Sequence, residues 1–369
     1  MKILLLGNIQ SKWIKESIEN VFLPLGHSVE VLGDEKNCKY ADFYRDNGIV
    51  IRKLADASSL VCRMPFIRIV SIANRTFKAN KWDNYDLIIN MFVNYRDLMI
   101  TSKLRTKDTK TVMFFAGSEL LRRKKTAVRL YNVLLPHADF YIMGSQTLLL
   151  DFNRKFGEKF HGEVISFGIS AFDNIDRLLE RGIVKKAGNA FCIGYNGVKE
   201  QQHLAVLDVF AKLPNELKKK VMLIVPMTYL AKKDYIEEVK IKLDQTGIAY
   251  RQYTEYRDDD QMAELWCGVD YFIIAQTTDS LSASVLEGAY AGCELILPNW
   301  LGYPEHREMG IKKTEYRDFD ELYSIIVDIL EGRYQPSGKS NRHALYDGMS
   351  WDSSRRKWDK LLDPIQKGK

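Results

Sequence analysis

The chain has 369 residues, 46% hydrophobic and 28% charged, enough for a sizeable core and, at ordinary domain size, for two domains. Its formal charge of +6 is uneven: residues 1–187 hold 30 Lys and Arg against 20 Asp and Glu, or +10, and the remainder holds 24 against 28, or −4. No apolar run approaches the roughly 18–20 residues of a membrane span. Five scattered cysteines (Cys38, Cys62, Cys192, Cys267, Cys293) without a CxxC pair argue against a zinc site or disulfide framework, and for a reducing, cytoplasmic compartment.

The opening "MKILLLGNIQ" reads as a first β-strand rather than a signal peptide, because its apolar run is short and no small-residue cleavage site follows. "SKWIKESIENVFLPLGHSVEVLG" continues as helix, glycine turn and strand. Further apolar runs at "YDLIINMFV", "KTVMFFAG", "ADFYIMGS" and "GEVISFG" repeat the rhythm of a helix-covered parallel sheet. A second series, "FCIGYNG", "VMLIVPMTY", "IAYRQYTEY", "DYFIIAQ" and "CELILP", begins after the charged stretch "RLLERGIVKKAGNA". The expected division is therefore 1–184, 185–348 and a terminal helix over 349–369. That helix carries Trp351, Trp358, Leu361 and Leu362 as its apolar stripe and is expected to return to the first domain.

Between 60 and 82, Arg63, Arg68, Arg75, Lys78 and Lys81 interleave with Met, Phe, Ile and Trp, and "LLRRKKTAVR" adds Arg122 and Arg123. This pattern is open between solvated helix faces and an interfacial surface against anionic headgroups. Nucleic acid is a less suitable partner, because the aromatics form no stacking series. Glu119 in "FAGSELLR" ends a strand and is open between a helix cap and a general base. The acid runs at Asp258–Asp260 and Asp318–Asp320 have DxD spacing but directly precede amphipathic helices, so they are expected to cap those helices rather than bind metal.

"AQTTDSLSASVLEGAYAGCELILP" (275–298) follows an apolar strand with Thr, Thr and Asp, then builds a helix from Ser, Ala and Gly. On one continuous helix Asp279 and Glu287 would lie about 12 Å apart along the axis and roughly 80° apart around it. The helix is expected to start near Ser280 or Ser282 instead, leaving Asp279 in the loop at the strand's carboxyl end. Small residues there let a ligand approach free amides and the helix dipole, a site for a diphosphate. Glu287 is placed to accept from ribose hydroxyls, and Asp279 from a sugar beyond the phosphates. The bland alternative is a cap, a solvated acid and close helix–sheet packing. "NGVKEQQH" (196–203) also follows a strand, with Gly197, Lys199 and His203 open between phosphate contacts and surface residues.

"DSLSASVLEGAYAGCELILP" resembles the donor-site signature of GT-B glycosyltransferases, especially the retaining group 1 (family 4) type: an acid, seven residues, a Glu, then a helix running into a strand. "ADFYIMGSQTLLLDF", "VISFGIS", "YDLIINMFVN" and "YTEYRDDDQMAELWCGVDYFIIAQ" are similar to other segments of that family in the same order. "IGYNGVKEQQHLAVLDVF" and "VPMTYLAKKDYIEEV" show a narrower similarity to the fucosamine (Fuc4NAc) transferase of enterobacterial common antigen synthesis. The resemblance implies an α/β GT-B fold: two Rossmann-like doubly wound domains facing a cleft, with the terminal helix crossing back. It further implies transfer from a nucleoside-diphosphate sugar to an acceptor, expected to be a lipid-linked glycan precursor of surface polysaccharide, with no metal and no cofactor. The expected place is the cytoplasm, at the inner face of the plasma membrane.

By this resemblance the donor contacts are Gly197, Lys199, His203, Tyr229, Thr254, Tyr256, Asp279, Ser280, Ser282, Ala283 and Glu287. Asp279, and Glu119 from its place at a strand's carboxyl end, are the catalytic candidates; Arg63, Arg68, Arg75, Lys78, Arg122 and Arg123 are the acceptor and membrane candidates from their charge pattern. The sequence departs from the family in three ways: Asp stands for the first Glu, the Arg…Lys pair is reduced to Lys199 (with Lys232, Lys233 or Arg257 as substitutes), and the first-domain His-Asp is replaced around Glu119. The competing classes are a non-catalytic GT-B partner subunit and a DNA-modifying GT-B glucosyltransferase.

Overall fold

The computed structural model describes all residues except 57–64, 122–130, 132–134, 158–159, 183–185, 187, 280, 337–340 and 368–369. Arg63, Arg122, Arg123 and Ser280 therefore lie outside the described residues. The chain divides into two compact units, Met1–Gly168 with Trp351–Lys369, and Ile169–Ser350. The first break comes earlier than residue 184 because the helix Ala171–Arg181 packs on the second unit, where Phe172 stacks on Tyr290 at 3.9 Å between ring centroids.

The first unit is built on seven parallel strands: β1 (Lys2–Leu6), β2 (Ser28–Gly33), β3 (Val50–Lys53), β4 (Leu87–Met91), β5 (Lys110–Phe115), β6 (Phe140–Met143) and β7 (Gly162–Val164), in the order β3-β2-β1-β4-β5-β6-β7. The second has six: β8 (Ala190–Ile193), β9 (Met222–Pro226), β10 (Ala249–Tyr253), β11 (Tyr271–Ile273), β12 (Glu294–Pro298) and β13 (Thr314–Tyr316), in the order β10-β9-β8-β11-β12-β13. All pairings are parallel. Sheet position follows composition. "LIINM" and "AFCI" occupy central positions and are buried throughout, whereas the edge strands "VIRK", "AYRQY" and "TEY" are charged and partly exposed.

The two-residue period sorts each sheet between two helical layers. In the second unit Cys192, Phe272, Leu295 and Leu297 join one core cluster, while Phe191, Ile193, Ile273 and Ile296 join the other. In each unit the strand order reverses once, between β1 and β4 and between β8 and β11. Open α/β sheets bind ligands at the carboxyl ends beside such a reversal.

The last helix, Trp351–Lys367, belongs to the first unit. Trp358 is buried against Phe22, with centroids 5.3 Å apart, and against Phe114 at 6.2 Å; Leu361, Leu362 and Ile365 complete the stripe. Trp358→Ala is expected to destabilise the first unit by roughly 3–5 kcal/mol, the usual cost of emptying a large aromatic site. Urea denaturation followed by circular dichroism measures it, and a loss below about 1 kcal/mol is incompatible with this packing.

Candidate functional site

At the reversal of the second sheet, β8 runs into Gly194–Gly197 and β11 into Ile274–Asp279. The two loops are tied together: Thr277 N–H donates to the Glu200 carbonyl at 3.0 Å, and Gly194 N–H to the Ile273 carbonyl at 3.0 Å. Gln276, buried beneath them, accepts from Gln201 Nε2 at 2.8 Å, and its carbonyl accepts from Trp300 Nε1 at 2.9 Å. Asp279 lies in the loop after β11, and the helix Ala283–Tyr290 starts beyond it with Ser282 as N-cap.

Residues Leu281–Ser284 are half-buried, and the Ser282 side chain does not cap the leading amides. The small residues of the helix divide into two uses. Ser282, Ala283 and Ser284 leave its start open, whereas Gly288 lets it press on β11, because a Cβ there would meet Phe272 Cδ1 at 2.7 Å. Close packing and ligand access share one helix.

Both carboxylates are held by aromatic donors. Tyr303 Oη donates to Asp279 Oδ2 at 2.8 Å, and Tyr195 Oη lies 3.2 Å from the same oxygen and 2.7 Å from Gln276 Oε1. Burial, then the Asp279 charge, pushes both phenols well above the usual tyrosine range, so they remain protonated donors. Glu287 Oε2 accepts the indole N–H of fully buried Trp266 at 3.0 Å. Tyr229, after β9, is half exposed; burial of its phenol and the charges of Glu287 and Asp279 raise its pKa.

The cations are looser. Lys199 is exposed, 3.4 Å from Glu238 and over the Tyr235 ring, a surface pair of little strength. Lys232 and Lys233 are exposed at the start of the helix after β9. Arg257 stacks on Tyr253 and donates to the Gln261 carbonyl, so it serves its own loop, where Thr254 and Tyr256 are exposed.

No protein-family model matches the sequence, and no curated protein sequence matches it. Solved structures do match over the whole chain. A glycosyltransferase from Rickettsia africae superposes with a TM-score of 0.72 at 15% identity, covering 100% of this chain and 99% of that one. Sucrose-phosphate synthase from Thermosynechococcus elongatus gives 0.71 at 12% identity, with full coverage of both. HepE of Anabaena in complex with UDP and glucose gives 0.67 at 15% identity, covering 99% and 100%. The chain has the GT-B fold.

Within that GT-B fold, three expected site residues turn out to serve the framework. His203 is fully enclosed, its Nδ1 3.2 Å from the Tyr235 hydroxyl and its Nε2 turned toward Gly194, and burial lowers its pKa to about 4. An imidazole in that place orders the loop after β8 rather than touching a phosphate. Gly197 is required for packing, because a Cβ there would lie 2.1 Å from the Ala231 Cβ on the loop after β9. In the first unit Glu119 is buried at 4% exposure and accepts the Ala116 N–H at the start of its own helix, Ser118–Leu121. A carboxylate turned onto the backbone and buried is not presented to an acceptor hydroxyl in this conformation, which favours a local structural role for Glu119 over a general base.

Asp258 and Asp318 cap the helices Asp259–Gly268 and Phe319–Leu330, the first in a capping box with Gln261, so neither DxD run is a loose acid cluster. Arg68, Arg75 and Lys78 are exposed on the helix Pro65–Ala79. Tyr195, Gln276, Trp266 and Tyr303 escaped the sequence reading. Only Tyr195, in "IGYNG" at a strand's carboxyl end, carried a local signal.

His306 is a second enclosed imidazole, its pKa lowered to about 3 by burial and then by Lys313. Both depressed histidines remain neutral when folded but protonate near 6.5 when unfolded. Their contribution is complete above pH 6.5 and is lost as the pH falls toward 4 and 3, by roughly 2–3 kcal/mol each at pH 4.5. His306→Phe keeps a ring on Tyr303 without the proton. Thermal melts are expected to show the variant gaining on the native chain between pH 7 and 4.5, and parallel pH profiles contradict the assignment.

Proposed function

We propose that the protein is a glycosyltransferase that moves a sugar from a nucleoside-diphosphate sugar to an acceptor hydroxyl. The observation that carries the reading is the open helix start at Ser282–Ala283, at the reversal of the second sheet and flanked by two oriented carboxylates. The diphosphate sits on the leading amides, assisted by Lys199; Glu287 receives ribose hydroxyls; Asp279 receives hydroxyls of the transferred sugar; Tyr229 lines the space between. The loop carrying Thr254 and Tyr256 receives the base. Solved GT-B relatives crystallised with UDP and with UDP-glucose support this class of donor.

The reaction breaks the bond between the anomeric carbon and the diphosphate oxygen and forms one to the acceptor oxygen. With Glu119 turned inward, the departing diphosphate oxygen takes the acceptor proton on the same face, which gives retention and requires neither a protein nucleophile nor a metal. The acceptor is a lipid-linked glycan precursor for surface polysaccharide, and the narrower sequence similarity adds an aminodeoxyhexose to the donor panel. Arg68, Arg75 and Lys78, beside exposed Ile67, give the first unit a reversible hold on an anionic surface at the inner face of the plasma membrane, at about 1 kcal/mol per cation.

Two measurements test this. In a thermal-shift screen against UDP, GDP and TDP, one nucleotide is expected to stabilise the native chain; loss of the Glu287 contact is worth roughly 1.5–3 kcal/mol, so Glu287→Ala should weaken that nucleotide by about 10- to 100-fold. Asp279→Ala should retain the nucleotide and lose turnover. Nucleotide binding without turnover of any donor would favour a non-catalytic subunit. Separately, the native protein is expected to sediment with vesicles containing anionic lipid, and the variant Arg68→Glu/Arg75→Glu/Lys78→Glu is not; equal sedimentation removes the membrane assignment.

A further inference from the structure

The Asp279 carboxylate is braced from behind by a specific assembly. Tyr303 donates to Oδ2 at 2.8 Å and is itself only 1% exposed. Its backbone is held at φ 28°, ψ 74°, a left-handed conformation that a bulky residue adopts only when its surroundings impose it, at a cost of about 1–3 kcal/mol. The ring itself is enclosed by neighbours. His306 stacks on the ring with centroids 4.5 Å apart and planes 11° from parallel, and Lys313 Nζ stands 5.8 Å from the ring centroid. Among the described residues neither nitrogen of His306 has a hydrogen-bond partner, so the imidazole acts as a flat spacer. On the far side Tyr195 reaches the same carboxylate oxygen and links it to Gln276 and Gln201.

We propose that Tyr303, backed by His306 and assisted by Tyr195, is the positioning residue that sets which donor-sugar epimer the enzyme accepts. The inference rests on the donor-site reading above. A free carboxylate turns easily about its terminal bond and can follow a hydroxyl to either side of a sugar ring. One anchored through Oδ2 cannot, and a misplaced hydroxyl then leaves a desolvated polar group unpaired, the strongest basis for discrimination. Asp is also one methylene shorter than Glu, so it has one fewer rotatable bond to lock. The brace exchanges reach for direction. Because the tyrosine touches the acid rather than the nucleotide, its loss should affect sugar selection and not nucleotide affinity.

The test compares the native protein with Tyr303→Phe, which retains the ring and the stack but removes the donor. UDP-glucose and UDP-galactose are the epimer pair if UDP binds, GDP-mannose and GDP-glucose if GDP binds, and TDP-glucose and TDP-galactose if TDP binds. Expected are a roughly 10- to 100-fold fall in kcat/KM for the preferred epimer, a narrowed ratio between epimers, and nucleotide affinity within about twofold of the native value. In a double-mutant cycle with Asp279→Asn the two losses should be markedly less than additive. An unchanged epimer ratio, or full additivity, overturns the inference while leaving the donor site intact. A native chain that binds no nucleotide overturns the donor site and this inference with it. Thermal melting checks that Tyr303→Phe is folded; should it not be, Tyr195→Phe carries the same expectations, and an unmoved ratio there is equally decisive.

Discussion

The reversal of strand order between β8 and β11 is the constraint on which the second unit depends. Parallel strands leave all their carboxyl ends on one edge of the sheet, and only where neighbouring connections depart to opposite faces do the loops part enough to admit a ligand. The helix Ala283–Tyr290 must begin in that gap. Its composition follows from two demands at its two ends: Gly288 lies on Phe272 with no room for a side chain, while Ser282 and Ala283 leave the first turn of amides without a side-chain cap.

A carboxylate taken out of water needs donors, and the identity of those donors separates the acids of this chain by use. Glu30 is buried in the first unit between Arg52, Lys2 and the Tyr85 hydroxyl, and these contacts hold its carboxyl below the usual range against the opposing effect of burial. It is a framework ion pair. Glu119 is turned onto Ala116 and is likewise framework. Asp279 and Glu287 remain half-buried and take phenol and indole donors, which fix the direction of a carboxylate.

The same logic places the histidines. His203 and His306 lie next to the site, yet both are enclosed and held neutral, one under the loop after β8 and one behind Tyr303. Their work is to shape the wall. A neutral ring stacked on Tyr303 also keeps a second positive charge from joining Lys313 there.

The sequence by itself determined the two α/β series, the terminal helix stripe, the capping aspartates and the start of a helix between Asp279 and Glu287. Each of these is written locally, in an apolar period, a cap or the spacing of a single segment, and needs no knowledge of what packs where. The tertiary structure alone decided that Glu119 turns onto Ala116, that His203 is enclosed beside Tyr235, that Gly197 packs on Ala231, and that Tyr303 and Trp266 hold the two acids. Tyr303 is 24 residues from Asp279 and Trp266 is 21 from Glu287. Such pairings exist only once parallel strands have been laid side by side, because a hydrogen bond between distant segments leaves no period in the chain that encodes it.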